Sequence, residues 1–367
     1  MAGYDNRYPP LGPVGGQSGD QDWDDWDPTR ARSGYTSYVP AIGNPLLSSM
    51  PGLDLPAPVS RSRPSAGQQS LSPAGLAVSA RAEVEDYLTV RYDVREPGFV
   101  ELYEAVFVPQ WSRPFGQLLL SVLLTLQRDS GWQLLDVGCA TGYPTLELAR
   151  FLGQDCDLAG IDIWEEAVLF ARRRAAEEWL RNVNFLVADV VANDLPQGGF
   201  DTITCNLGLT SFEDPVAALG GMWRLLREGG QLLLTVPLQS AMREFLDTYY
   251  LTLRDLKLQD YMRTLGLHIA SRPTIASVSQ LIERAGFTVA RTVTDTFTMR
   301  FPDALAFLKS PLIQTLYLGE LREIIPDMTI RRLVFNEVER RLTARAHVAG
   351  GELTMSVPML CVSAVRV

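Results

Sequence analysis

The strongest constraint on this chain is a regular exchange of short apolar runs and amphipathic stretches between positions 133 and 236. The runs at 133–137, 158–162, 184–187, 200–205 and 231–236 read as buried strands. Helical spacing at 144–152, 165–180 and 214–227 predicts the helices between them, the last stopped by Gly229 and Gly230. Strands that alternate with helices in this way are joined by right-handed crossovers, which lays them in a parallel sheet covered on both faces. The expected fold class is α/β, doubly wound.

Sheets of this kind bind ligands at the carboxyl ends of their strands, where the strand order reverses. That rule points to the turn after the first strand, DVGCATGYP, Asp136 to Pro144. Gly138 and Gly142 frame the small residues Cys139, Ala140 and Thr141, so backbone can come close to a ligand. Asp162, 20 residues after Gly142, stands at the end of the second strand, where a carboxylate can accept from both hydroxyls of a ribose. A dinucleotide fingerprint beginning at Gly138 would need glycine at 140 and 143, and the chain has Ala140 and Tyr143. The carboxylate of Asp136 at the mouth of the turn would repel a pyrophosphate and attract a ligand with an ammonium group.

LLDVGCATG, Leu134 to Gly142, resembles the first motif of the class I S-adenosylmethionine-dependent methyltransferases, in their small-molecule, UbiE-like branch. Later segments follow in that family's order. GIDI is similar to its second motif, VADV to its third and FDTITCNLGLTSF to its fourth. The resemblance implies a Rossmann-like seven-stranded sheet, with its last strands after IERAGF and at TMSVPMLCVSAV, and S-adenosyl-L-methionine as cofactor. It also implies a cofactor site made of Asp136, Gly138, Cys139, Ala140 and Gly142 in the first motif and Asp162 and Ile163 in the second. Asp189 would meet the adenine amino group, Val190 would flank the ring, and Asn206 and Leu207 would lie beside the methionine moiety. Two departures matter: Ala140 replaces a family glycine, and Thr210 and Ser211 stand where many quinone and sterol enzymes have a pair of histidines.

Charge narrows the partners. A net charge of −10 provides no general basic field for a phosphate backbone, which disfavours nucleic acid, and a small-molecule acceptor is expected instead. Four cysteines without C-x-x-C spacing and only two histidines, His268 and His347, argue against a metal site. Neither histidine lies in a motif, so no catalytic base is assigned. The longest apolar run, near 118–126, is too short for a membrane span, and a cytoplasmic location is the default expectation.

Residues 1–80 hold 11 of the 23 prolines and 10 of the 29 glycines, a composition expected of a disordered tail. Its acidic run at 20–27, with Trp23 and Trp26, could dock on a protein partner. The methyltransferase domain is expected over 81–367, with its cofactor core at 131–237 and helical insertions at 238–273 and 302–347 forming a lid on the acceptor side. Within the first insertion Tyr249 and Tyr250 are candidate acceptor-facing residues. Two alternatives stay open on the same sheet: a noncatalytic binding protein that keeps the fold, and a nicotinamide-dependent oxidoreductase.

Overall fold

Seven strands form one sheet in the order β3-β2-β1-β4-β5-β7-β6 in the computed structural model, which describes residues 86–126, 131–348 and 350–367. The expected tail at 1–80, its acidic run and the start of the domain at 81 lie outside the described residues. Strands β1 (Trp132–Val137), β2 (Cys156–Asp162), β3 (Val183–Val187), β4 (Phe200–Asn206) and β5 (Leu226–Pro237) are parallel, and the order reverses between β1 and β4. β7 (Leu353–Arg366) runs antiparallel between β5 and the edge strand β6 (Phe287–Phe301). The seven-stranded, doubly wound expectation is met.

Alternation along each strand sends neighbouring side chains to opposite faces. Leu134, Leu233 and Cys361 join one core, whereas Leu135, Leu232, Leu234, Leu360 and Val362 join the other. The second core is closed by α5 (Pro215–Leu225) and α8 (Ile275–Arg284). A smaller third cluster of Cys139, Leu146, Val168, Ala171 and Phe185 fills the space under the first-motif turn, between α3 (Thr145–Leu152) and α4 (Glu165–Glu177).

The first core takes in the residues that precede β1: α1 (Phe99–Leu102), a wide-turn π-helix (Tyr103–Ser112) and α2 (Arg113–Leu123). It also takes in both insertions. These contain α6 (Arg243–Asp255), α7 (Gln259–Ser271), α9 (Ala304–Lys309), a second π-helical turn (Gln314–Leu318), α10 (Gly319–Glu323) and α11 (Met328–Val348). Phe245 meets Phe307 with ring centroids 5.3 Å apart, and Tyr249 meets Phe335 at 5.2 Å, all four side chains fully buried. The apolar stripes read as a cover over an acceptor therefore pack mainly on the sheet and on each other. Among the described residues, no helix is long and apolar enough to cross a membrane.

One boundary differs from the sequence reading. Gly229 and Gly230 do not end a helix: α5 stops at Leu225 and both glycines lie within β5, Gly229 at φ 73°. The pairing of β4 with β5 shifts register between Phe200 and Thr202, so the glycines accommodate an irregular strand entry.

Candidate active site

The turn after β1 holds three residues in the left-handed region: Gly138 at φ 78°, Ala140 at 43° and Gly142 at 98°. Gly142 is required twice, since a β-carbon there would stand 2.8 Å from Leu146 Cδ1 and 3.1 Å from Ala171 Cβ. The N–H groups of Gly138 and Cys139 donate to the Ile161 carbonyl at 2.8 and 3.1 Å. Ala140 N–H donates to Asp162 Oδ2 at 2.9 Å, and Trp164 N–H to its Oδ1 at 2.9 Å. At the next strand end, Ala188 N–H donates to the Asp162 carbonyl at 3.1 Å. One carboxylate and its backbone thus join the ends of β1, β2 and β3.

Asp136 sits one layer behind the turn instead of at its mouth, 1% exposed. Its carboxylate accepts from Thr204 Oγ1 at 2.7 Å and from Thr145 Oγ1, the first residue of α3. Burial drives its pKa from 3.8 up to about 7 in spite of those two bonds, and burial also raises Asp162. The hydroxyl of Thr141, in the same turn, is buried with no hydrogen-bond partner.

The ends of β3 and β4 complete the rim. Asp189 is exposed and accepts from Val191 N–H at 2.8 Å, while Val190 is buried with its carbonyl pressed against Gly221, where a β-carbon would clash. Ile163 is an apolar side chain left 56% exposed beside Asp162. Asn206 accepts from Thr235 Oγ1 at 2.7 Å and donates to the Ser112 carbonyl at 3.1 Å. Leu207 is held at φ 67° with its N–H on the Thr235 carbonyl at 3.2 Å. A β-carbon on Gly138 would lie 3.6 Å from Gly208 Cα, so the turns after β1 and β4 touch. The structure therefore gathers the eleven motif residues at one end of the sheet.

Sequence reading missed much of what surrounds them. Trp164 follows Ile163 and meets Tyr103 edge-on at 5.4 Å, and Tyr103 stacks on Phe107 at 5.3 Å. Burial, with a contribution from the nearby Asp162 charge, pushes the Tyr103 phenol up to about 12. Trp111 packs against Phe115 with ring centroids 5.1 Å apart, and Tyr103 borders the turn region. Thr145 and Thr204 carried no motif signal.

The acceptor assignments fare differently. Tyr249 is a core residue, fully buried, its hydroxyl donating to the Leu321 carbonyl at 3.2 Å. This corrects the expectation that it faces an acceptor: apolar residues at helical spacing mark a buried face whatever covers it. Tyr250 is partly buried against the same core. Beyond Ser112, Trp111 meets Phe297 at 6.0 Å and Tyr317 at 5.8 Å, and the Arg272 guanidinium lies 5.2 Å from the Tyr317 ring centroid.

Residues 128–283 match a family model described as a methyltransferase domain. The chain is 29% identical over 281 residues to nocamycin O-methyltransferase of Saccharothrix syringae, covering 71% of this chain and 94% of that protein. It is 30% identical over 104 residues to demethylmenaquinone methyltransferase of Lactococcus lactis, covering 28% and 41%. With the ubiquinone/menaquinone biosynthesis C-methyltransferase UbiE of Shewanella halifaxensis it shares 29% identity over 170 residues, covering 43% and 66%. The motif order, the seven-stranded sheet, the matched domain and these relatives together support a class I S-adenosylmethionine-dependent methyltransferase.

Proposed function

We propose that this chain binds S-adenosyl-L-methionine across the ends of β1 to β4 and transfers its methyl group to an oxygen of a small, partly apolar acceptor. The observation that carries the reading is the left-handed turn 138–142 fastened to the Asp162 carboxylate at 2.9 Å. The Asp162 carboxylate, already held by backbone N–H groups, has lone-pair capacity left for a ribose hydroxyl. The turn is poorly suited to a pyrophosphate: Pro144 has no N–H, and Leu146 N–H is spent on the Gly142 carbonyl. The buried Asp136 and the partly buried Asp162 favour a cationic ligand at this place. The unpartnered Thr141 hydroxyl offers one more polar contact.

In this reading Asp162 holds the ribose, Ile163 and Val190 take the two faces of the adenine, Asp189 its amino group, and Asn206 and Leu207 border the methionine end. The cofactor supplies an electrophilic sulfonium methyl. The task left to the protein is to orient an acceptor oxygen in line and exclude water. Oxygen is inferred from the long match to nocamycin O-methyltransferase.

Thermal melting with S-adenosylhomocysteine and, separately, with NAD tests this. The first ligand is expected to raise the melting temperature by mass action and the second to leave it unchanged. Asp162→Ala should weaken the response at least tenfold in ligand concentration, about 1.4 kcal/mol. A response to NAD alone, or wild-type affinity in Asp162→Ala, would sink the reading.

A further inference from the structure

Outside the motif residues, one fully buried side chain carries a charge without a counter-charge. Arg322 of α10 donates from Nη1 to the Tyr87 carbonyl at 2.6 Å and to Gln314 Oε1 at 2.7 Å. Gln314, also buried, donates from Nε2 to that same carbonyl at 3.0 Å. Both acceptors of the guanidinium are neutral. Nε and Nη2, on its other edge, are closed to solvent and meet no hydrogen-bond acceptor among the described residues. The two N–H groups of that edge point the same way, which is the arrangement by which arginine holds an anion at two points.

Neighbouring carboxylates are already committed elsewhere. Glu323 pairs through Oε1 with Arg91, and its Oε2 stands 3.6 Å from Nη2 of Arg331. Asp86 accepts from the Leu88 N–H at 3.0 Å through Oδ1 and pairs with Arg332 through Oδ2. Arg331 is 6% exposed and donates from Nε to the Ile325 carbonyl at 2.7 Å. Arg91 and Arg331 therefore add their fields to the charge of Arg322. Burial, then Arg91, lowers the Arg322 guanidinium to about 10, so it is still a cation at pH 7. A water at the open edge would satisfy the two donors and leave the charge unbalanced, and an unbalanced buried charge is strongly destabilising.

We propose that the Nε–Nη2 edge of Arg322 is a binding site for one small monovalent anion of the size of chloride. Charge sets the valence, since one guanidinium without a carboxylate balances one negative charge. Closure sets the size, because both nitrogens are sealed from solvent and a nucleotide or a phosphorylated metabolite could not reach them. Arg322 then joins three parts of the chain around the ion: the segment at Tyr87 through its carbonyl, the π-helical turn through Gln314, and α10 on which it stands. The site is independent of the methyl-transfer reading. Its effect is on stability, because an ion held by the native state and released on unfolding raises the melting temperature by mass action.

Melting of the full-length protein is followed in sodium gluconate that is replaced stepwise by sodium chloride at constant total sodium. The melting temperature should climb with the logarithm of chloride, by about 5 °C at a hundredfold excess over the dissociation constant, and bromide and nitrate should act alike. Arg322→Met keeps an apolar stem without the charge, and its melting should not depend on which anion is present. Arg322→Lys keeps a charge but loses the paired N–H edge, and should need at least tenfold more chloride for the same rise. Crystals grown in sodium bromide locate the ion, with one anomalous peak expected within hydrogen-bonding reach of both Nε and Nη2. A rise of equal size in Arg322→Met would mean a general salt effect and would overturn the proposal. A wild type that melts alike in gluconate and chloride, or a water without bromide at the Arg322 edge, would overturn it as well.

Discussion

At the scale of single residues, Ala140 is the informative departure. Its φ of 43° is a conformation that costs an L side chain on the order of 1–2 kcal/mol, and glycine adopts it freely. Ala140→Gly is therefore expected to hold or slightly raise the melting temperature and to keep S-adenosylhomocysteine binding. Gly142→Ala meets both a φ of 98° and a 2.8 Å contact with Leu146, and is expected to lose about 1–3 kcal/mol in urea unfolding. Asp136 sets a pH dependence. Its pKa rises from 3.8 to about 7 on folding, so the native state binds more protons in that interval, and stability present below pH 4 is lost as pH climbs through 7. From pH 5 to pH 8 the free energy of urea unfolding should fall in the wild type by about 2–4 kcal/mol more than in Asp136→Asn. A steeper fall in the asparagine variant would refute the assignment. Asp162, Gly138 and Gly142 were legible because their partners are close in the chain or fixed by strand ends. The burial of Asp136 was not, because Thr204, one of the two hydroxyls on it, comes from 68 residues away.

At the scale of elements, the sequence spoke clearly wherever one periodicity had one meaning. Apolar runs of strand length gave β1, β2, β4 and β5 to within a few residues, and their order fixed the end of the sheet at which a ligand is expected. It spoke ambiguously in the insertions, because a helix covering an acceptor and a helix covering the sheet present the same stripe of apolar side chains. Contact with Phe335 and Leu321 decides for α6: Tyr249 belongs to the core. Tyr249→Ala should cost about 3–5 kcal/mol and lower the melting temperature in the absence of any ligand. Tyr250→Ala, one residue along and only partly buried, should cost less than half as much by the same measurement. Equal losses would mean that the two side chains share one environment, contrary to the packing described.

For the molecule as a whole, the question is where the fold begins. Composition places the boundary near residue 80, where the proline- and glycine-rich stretch gives way to an ordinary globular composition. Contacts place an essential anchor soon after it. Tyr87, Leu88 and Val90 are 8%, 1% and 2% exposed. The Tyr87 carbonyl accepts from Gln314 Nε2 at 3.0 Å and from Arg322 Nη1 at 2.6 Å, and its hydroxyl donates to Glu339 at 3.1 Å. Arg322 is itself fully buried and also donates to Gln314 Oε1 at 2.7 Å. Removing Tyr87 would leave a buried guanidinium short of an acceptor, and loss of a partner from a buried charge is far more costly than loss of a surface contact. Two truncations separate the views. A chain starting at 81 should melt with the full-length protein and bind S-adenosylhomocysteine equally well, whereas one starting at 92 should lose about 5 kcal/mol or more, since three buried side chains and the Arg322 acceptor go together. Arg322→Met in the second chain should restore part of that loss by removing the stranded charge. If the shorter chain melts unchanged, the segment 87–90 is a surface strap and the fold begins at α1.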